Sequence, residues 1–392
     1  MKQVTMIEAG GREAIDFSPF TETVPLRIAS SRSYSRRVTR QIRVGKVPVG
    51  GNAPVPVQSM TKTDTRNVQA TVDQVWALEA AGCEIVRVAV PDADAATAVR
   101  QIRSQIRIPL IVDIHFDYRL ALQCLEGGVD CLRINPGNIG PTWRVREVTK
   151  AAAERKVPIR IGVNAGSLEK HLLQRFGEPT PEALVESALF HIRILEELNY
   201  PEMKVSLKSS DPKMMIEAYR LLADQVPYPF HLGVTEAGTA FAGAIKSAVG
   251  IGTLLAEGIG DTIRVSLTED PTEEIRAGFE ILKALGLRKR GLNVIACPSC
   301  GRVEIDLVGV TKEVEKRLAA LNINRSLNVA VMGCAVNGPG EARGADIGIA
   351  GGNGVGLLIK DGKIVRKVKE SELADVLVEE VKALAAKEPK EA

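Results

Sequence analysis

The sequence predicts an α/β protein in which a (β/α)₈ TIM barrel is followed by a smaller α/β domain. Eight short β-branched runs alternate with longer helical segments between residues 55 and 268, which is the pattern of parallel βαβ units. The length of this region is typical of a (β/α)₈ barrel. The alternation ends near residue 290, where a cysteine pair and later a glycine-rich segment follow.

The predicted strands are spaced regularly along the first two thirds of the chain. In chain order they are residues 55–63, 85–90, 109–116, 131–137, 158–164, 204–210, 229–238 and 262–268. Amphipathic segments such as VDQVWALEAAG separate them and predict helices. A doubly wound open sheet is the alternative for the same alternation. We assign residues 1–37 to an N-terminal arm, 38–289 to the barrel and 290–392 to the second domain.

The composition excludes several classes of protein. Of 392 residues, 45% are hydrophobic and 25% charged, as in most globular proteins. The net charge of +3 and the aromatic content of 4% argue against a nucleic-acid partner. No apolar run reaches the ~18 residues of a membrane span, and no secretory signal opens the sequence. We therefore expect a cytoplasmic protein whose six cysteines are metal ligands or buried residues rather than disulfides.

Polar and charged side chains occupy every second position of most predicted strands. Because alternate side chains point to opposite faces of a strand, these residues share the barrel interior and the intervening Ile, Val and Leu face the helices. An ordinary barrel interior is filled with branched apolar residues, so a charged one indicates a binding site. The predicted site residues are Arg87, Asp113, His115, Arg133, Asn135, Arg160, Asn164, Lys208, Glu236, Arg264 and Ser266.

The five cations of this set predict an anionic ligand. Arginine suits bidentate contacts with phosphate, and five cations exceed what one phosphate needs, so we expect a diphosphate or a larger polyanion. A structural ion-pair network with Asp113 and Glu236 is the alternative, which the excess of cations disfavours. Asp113, His115 and Glu236 are candidate acids or bases. His115 and His231 are equally explained as hydrogen-bonded core residues.

Three cysteines of the second domain follow predicted strand ends. Cys297 and Cys300 form a C-x₂-C pair, and Cys334 follows after 33 intervening residues. Structural zinc needs four Cys or His ligands, whereas this domain contains three cysteines and no histidine, with Glu341 as the next acidic residue. Three thiolates and one oxygen ligand favour a [4Fe–4S] cluster with one exchangeable ligand. A zinc site is the alternative.

The motifs ACPSCGR, MGCAVNGPGEA, VQSMTKTDT, RINPGN and RIGVNAGS resemble those of the 4-hydroxy-3-methylbut-2-en-1-yl diphosphate synthases, in their two-domain bacterial form, from about Thr39 onward. The resemblance implies a TIM barrel with a cluster domain. It implies that Cys297, Cys300, Cys334 and Glu341 hold a [4Fe–4S] cluster, with Glu341 also catalytic. It implies a homodimer in which the cluster domain of one chain caps the barrel of the other.

The same resemblance implies a reaction of the non-mevalonate isoprenoid pathway. The substrate would be 2-C-methyl-D-erythritol 2,4-cyclodiphosphate, and the products would be 4-hydroxy-3-methylbut-2-enyl diphosphate and water. Reduced flavodoxin or ferredoxin would supply the electrons. Two other functions fit the residues. One is a barrel enzyme for a phosphorylated or pterin-like substrate with a zinc-stabilised second domain. The other is a non-enzymatic iron–sulfur carrier that holds a phosphometabolite.

Overall fold

The computed structural model describes residues 6–9, 12–15, 36–289, 291–321, 323 and 325–386. Most of the predicted N-terminal arm therefore lies outside the described residues. Two short strands within it, β1 (Met6–Ala9) and β2 (Arg12–Ile15), pair antiparallel. A second hairpin follows, made of β3 (Ile42–Val44) and β4 (Val47–Val49).

Eight parallel strands form the barrel, which confirms the predicted fold class. They are β5 (Gln58–Met60), β6 (Ile85–Val90), β7 (Leu110–Ile114), β8 (Cys131–Ile134), β9 (Ile159–Asn164), β10 (Met203–Lys208), β11 (His231–Leu232) and β12 (Thr262–Ile263). Strands β5 to β10 form one sheet, and β11 pairs with β12. Parallel bridges from Val57 to Ile263 and from Val205 to Phe230 join the two sheets into a closed ring.

The last two strands are shorter than predicted. Beyond β11 and β12 the ladder continues only as single hydrogen bonds, such as Arg264 N–H to Leu232 O at 2.9 Å and Thr235 N–H to Ser209 O at 3.1 Å. The predicted segments 229–238 and 262–268 therefore run on as loops. Their residues beyond the strands lie at the carboxyl end of the barrel, where barrel enzymes place their active sites.

Helices surround the barrel. They are α1 (Val68–Ala81), α2 (Ala93–Gln105), α3 (Tyr118–Glu126), α4 (Pro136–Ile139), α5 (Thr142–Arg155), α6 (Lys170–Phe176), α7 (Pro181–Glu197), α8 (Pro212–Ala223), α9 (Ala240–Ala256) and α10 (Pro271–Ala284). Asp92, Asp211 and Asp270 each accept a hydrogen bond from a backbone N–H of the first turn of α2, α8 and α10, as N-caps do. The outward strand residues, such as Ile134 and Ile161, pack with the helices in one apolar core.

The hairpin β3–β4 closes the amino end of the barrel. Its apolar side chains form a small separate cluster with the lowest inward residues of three strands. The members are Ile42, Val44, Val49, Ile85, Ile111 and Cys131, each at most 1% exposed. The barrel interior is therefore apolar at its amino end, and its polar part begins above this plug.

A mixed five-stranded sheet forms the second unit. Its strands, adjacent in chain order, are β13 (Leu292–Ala296), β14 (Leu327–Met332), β15 (Ile347–Ala350), β16 (Val355–Lys360) and β17 (Lys363–Lys369). The first three are parallel and the last two antiparallel. Helices α11 (Leu307–Ala319) and α13 (Leu373–Ala385) contribute to one apolar cluster, while the short α12 (Gly338–Glu341) precedes β15. No helix in the described part of the chain is long and apolar enough to cross a bilayer.

Candidate active site

The cations predicted to line the barrel do lie in its interior. Arg87, Arg133, Arg160 and Lys208 are at most 8% exposed, and the Arg264 side chain is 12% exposed. Arg87, Arg160, Arg264 and Arg133 all act to lower the pKa of Lys208, after burial itself, so the five charges share one space. The structure places Arg160 near the start of β9, deeper than the strand end expected for the set.

Asp113 at the end of β7 is the centre of an ion-pair group. Its Oδ1 accepts a hydrogen bond from Arg133 Nη1 at 2.8 Å and lies 3.3 Å from His115 Nε2, while its Oδ2 lies 3.7 Å from Arg87 Nε. Burial acts to raise the pKa of Asp113, but the cations Arg87 and Arg133 hold it well below its usual value. Asp113 is therefore an ionised acceptor that orients the two arginines and the imidazole.

The guanidinium of Arg133 reaches across the next strand through a gap left by a glycine. A Cβ atom on Gly162 would lie 2.3 Å from Arg133 Nε, so only glycine leaves room for this side chain. Arg133 Nη2 donates to Gly162 O at 2.9 Å. With its amide oriented to satisfy both groups, Asn164 accepts from the same Nη2 at 3.2 Å. Strand β9 thus holds Arg133 in place.

A buried glutamate that the sequence analysis missed pairs with Arg264. Glu274, on α10, is 1% exposed. It accepts from Arg264 Nε at 3.2 Å, from Ser59 Oγ at 2.9 Å and from the backbone N–H of Leu267 at 3.1 Å. This carboxylate reaches the interior from a helix, so strand alternation gives no signal for it. Asn138, whose Nδ2 lies 2.9 Å from His115 Nδ1, was missed for the same reason.

Three interior cations have no carboxylate within ion-pair distance among the described residues. They are Arg160, Lys204 and Lys208, and Lys204 is fully buried. Lys204 shares the inward face of β10 with Lys208, as strand alternation predicts. Among the residues that the structure describes, six cations share this interior with two buried carboxylates, Asp113 and Glu274. Unpaired buried charge is costly, so the interior is built to receive an anion.

The remaining predicted residues lie around the open end of the barrel. Asn135 is buried, and its Nδ2 donates to Ser167 Oγ at 2.9 Å. Ser266 is half-buried in the segment that follows β12. Glu236 is exposed, in the loop after β11, with a left-handed φ of 51°. Glu236 is thus separate from the buried ion pairs and faces the region where a ligand would enter.

The cysteines of the second sheet follow two neighbouring parallel strands. Ala296 pairs with Val331, so Cys297 and Cys334 leave β13 and β14 at the same edge of the sheet. The backbone N–H of Gly333 donates to Cys297 Sγ at 3.3 Å. Backbone N–H groups of Asn337, Val336 and Gly338 lower the pKa of the Cys334 thiol. Such donors stabilise a thiolate, the form that binds metals.

Cys300 and Glu341 belong to the same neighbourhood. A hydrogen bond to Cys300 raises the pKa of Arg302, and the charges of Cys334 and Glu341 raise it further. Within the described ranges, no group of three or more His, Cys, Asp or Glu residues is drawn together as a metal site. The donor set nevertheless fits an iron–sulfur cluster, because three thiols, one carboxylate and several thiolate-stabilising N–H groups lie at one sheet edge.

Two family descriptions match the two units of the chain. "GcpE TIM-barrel domain" matches residues 39–279, and "GcpE protein C-terminal domain" matches residues 293–383. The first ends within α10 and the second begins within β13. The two matches together cover most of the chain, including all predicted site residues.

Bacterial relatives match the chain over nearly their whole length. The Geobacter sulfurreducens protein named 4-hydroxy-3-methylbut-2-en-1-yl diphosphate synthase (flavodoxin) is 65% identical over 89% of this chain and 98% of its own. Proteins of the same name from Symbiobacterium thermophilum and Clostridium perfringens are 61% and 57% identical, over 90% and 89% of this chain and 94% and 100% of their own. A solved dihydropteroate synthase from Stenotrophomonas maltophilia is 11% identical, over 63% of this chain and 98% of its own, with a TM-score of 0.45.

Proposed function

The chain belongs to the GcpE family, and from that premise we propose that it is an oxidoreductase of the non-mevalonate isoprenoid pathway. It converts 2-C-methyl-D-erythritol 2,4-cyclodiphosphate into 4-hydroxy-3-methylbut-2-enyl diphosphate and water, with the uptake of two electrons. The name that the relatives share, 4-hydroxy-3-methylbut-2-en-1-yl diphosphate synthase (flavodoxin), supports this reaction. The observation that carries it here is the excess of buried cations over carboxylates in the barrel.

The interior cations bind the diphosphate. Arg160 and Lys208 have no carboxylate partner in the described part of the chain, so their charge is available to phosphate oxygens. Arg87, Arg133 and Arg264 are oriented by Asp113 and Glu274 and can offer their remaining N–H groups. Asn135, Asn164 and Ser266 contribute neutral hydrogen-bonding groups around the same opening. This array offsets the negative charge that develops on the leaving phosphate oxygen as the ring opens.

Three residues are the candidates for moving protons. Loss of the hydroxyl as water requires a proton donor. Glu236 is exposed at the mouth, so it can exchange protons with solvent and substrate. His115 is about one-third exposed and contacts Asp113, which keeps the imidazole oriented toward the same opening. Asp113 itself is held ionised by its arginines, so its role is to position His115 and not to donate a proton.

Cys297, Cys300, Cys334 and Glu341 would hold a [4Fe–4S] cluster. When bound, such a cluster supplies the two electrons one at a time. Backbone N–H groups lower the pKa of the Cys334 thiol, which favours the thiolate form that binds iron, and the Gly333 N–H donates to Cys297 Sγ. Glu341 is exposed and ends the short α12, so it is the ligand with most freedom to leave.

We also propose the remaining features of the family resemblance for this chain. Reduced flavodoxin or ferredoxin is the electron donor, and the relatives' printed name favours flavodoxin. Residues 38–289 and 290–392 act as a barrel domain and a cluster domain. The two domains meet across a homodimer, as the family resemblance implies. Six free cysteines in the described residues support a reducing, cytoplasmic location.

Anaerobic turnover is the test of this function. The full chain is purified without oxygen, its iron, acid-labile sulfide and zinc are measured, and the cyclic diphosphate is supplied with reduced flavodoxin. We expect about four irons with matching sulfide and formation of the linear diphosphate, followed by mass spectrometry. Stoichiometric zinc without sulfide would contradict the redox function and favour a barrel enzyme with a zinc-stabilised second domain. A full cluster without turnover would favour an iron–sulfur carrier.

A further inference from the structure

A second group of polar side chains lies deeper in the barrel than the proposed substrate site. Lys204, Ser206 and His231 are each at most 1% exposed. Lys204 and Ser206 lie on the inward face of β10, and the bridge from Val205 to Phe230 brings Ser206 beside His231 of β11. We call these three residues the floor group. Lys204 lies four residues before Lys208, about 13 Å lower along the strand.

The polar atoms of the floor group have no hydrogen-bond partners within the described residues. These atoms are Lys204 Nζ, Ser206 Oγ and both ring nitrogens of His231. The neighbouring Arg160, paired in register with Lys204 on β9, also leaves Nε and Nη1 without a partner. Buried polar groups in native proteins are almost always satisfied. Four adjacent side chains without partners therefore indicate a ligand or ordered solvent between them.

The unsatisfied atoms are mainly donors. An ammonium group and a guanidinium group can only donate, and a hydroxyl and a neutral imidazole each contribute one further donor. Burial, with Arg160, Lys208 and Lys204, holds the pKa of His231 well below its usual value, so the ring is neutral. No carboxylate lies within ion-pair distance of Lys204 or Arg160 among the described residues. Such a donor set is complementary to an anion and only poorly satisfied by water alone.

The floor is closed from below. The apolar plug of the β3–β4 hairpin, with Ile85, Ile111 and Cys131, separates it from solvent at the amino end. Burial raises the pKa of the Cys131 thiol, so this cysteine provides no counter-charge to Lys204. A diphosphate bound at the mouth by Lys208 and its neighbours would not accept hydrogen bonds from Lys204, which lies two inward-facing positions below Lys208 on β10. A separate, compact anion would do so.

We propose that the barrel floor binds one monatomic anion, chloride in the cell, through Lys204, Ser206 and His231. Arg160, level with Lys204 on the neighbouring strand, borders both this site and the substrate site. The ion neutralises part of the cation excess whether or not substrate is present. Its role is structural and electrostatic, because it allows the lysine and arginine to stay charged beneath the mouth. This site is independent of the iron–sulfur chemistry and of the identity of the substrate.

Bromide, which scatters anomalously, is the probe. Crystals of the full-length protein, prepared anaerobically, are soaked in sodium bromide and compared with crystals in sodium gluconate. We expect one bromide peak in the barrel in contact with Lys204 Nζ. Density that refines as water, with no anomalous signal at this position, would overturn the proposal. Weak peaks on surface lysines alone would count against it equally.

Substitution tests the site in solution. At constant ionic strength, replacing gluconate by bromide should raise the melting temperature of the wild type, because a ligand that binds the folded state stabilises it. Lys204→Met should abolish this rise, whereas Lys213→Met, which changes an exposed lysine on the neighbouring helix, should keep it. Ser206→Ala, a smaller change, should weaken it if Lys204→Met does not fold. An unchanged bromide response in both floor variants would refute the proposal.

Discussion

The barrel mouth and the cysteine edge of the second sheet both bring reactive groups together, but they do so differently. At the mouth, most groups lie on or directly after a buried strand, with Glu274 entering from helix α10. Neighbouring groups pair directly, as Arg133 does with Asp113 at 2.8 Å. At the cysteine edge, exposure varies from buried Cys334 through half-buried Cys297 to exposed Cys300.

This difference separates two kinds of site. The geometry of the mouth follows from strand register, so folding alone produces it. Burying the charged groups there lowers the stability of the fold. The cysteine edge uses loops, which the fold constrains less, so its final geometry depends on the group that its residues bind. Substitutions at the mouth that break an ion pair should therefore lower folding stability, whereas those that remove an unpaired cation should weaken ligand binding. Substitutions at the edge should alter cofactor loading with little effect on stability.

The largest expected effect is at the edge. Cys300→Ser should lower bound iron and sulfide well below the about four atoms expected for a cubane cluster and reduce turnover to background. Because Cys300 is exposed, the free energy of unfolding measured without the cluster should stay within about 0.5 kcal/mol of wild type. Cys124→Ala, in the core of α3, is the matched control and should retain iron. Full iron and full turnover in Cys300→Ser would contradict the assignment.

At the mouth, the next largest effect is on stability. Glu274→Gln leaves Arg264 buried without a charged partner, and we expect it to lower the free energy of unfolding by about 3–5 kcal/mol. Urea denaturation measures this change. Glu280→Gln, on the exposed side of the same helix α10 and paired with Lys283, should cost at most about 1 kcal/mol. Equal effects of the two substitutions would show that the interior pair is not buried as described.

The sequence predicted those parts of the mouth that obey strand alternation. Arg87, Arg133 and Lys208 were identified because every second residue of a parallel strand faces the same side. Glu274 was not, because it reaches the interior from a helix 215 residues beyond its partner Ser59. No local sequence pattern predicts this contact, because it forms only when the strands close into a barrel.

The cysteine edge shows the converse. The motif around Cys297, Cys300 and Cys334 predicts a ligand set from residue type and spacing, and this set stays a prediction. The structure shows which backbone N–H groups surround the thiols. The predicted lengths of the last two barrel strands were wrong, since β-branched residues in 264–268 continue the pattern after the ladder has become irregular.

Lys208→Met should weaken ligand binding without lowering the free energy of unfolding. No carboxylate of the described residues pairs with Lys208, and Arg264, Arg160, Arg87 and Arg133 all oppose its charge. Removing the charge should therefore leave the free energy of unfolding unchanged or raised. Loss of a charge-assisted hydrogen bond should weaken binding of the cyclic diphosphate by about 10- to 100-fold. Isothermal titration measures the change in affinity, and urea denaturation measures the change in the free energy of unfolding. A destabilised variant with wild-type affinity would refute the proposed binding role.

The smallest effect concerns protons. Burial, and then the four arginines around it, hold the pKa of Lys208 well below its usual value, so the unfolded chain binds more protons than the folded one as pH rises toward about 10.4. Stability due to this group should therefore increase with pH across that interval.

A bound diphosphate favours the charged ammonium, so binding should take up a fraction of a proton. Titration in buffers of different ionisation enthalpy measures that uptake, which Lys208→Met should reduce and the exposed Lys213→Met should not. Equal uptake in all three proteins would place the protonation elsewhere in the mouth and remove Lys208 as the group that couples charge to ligand.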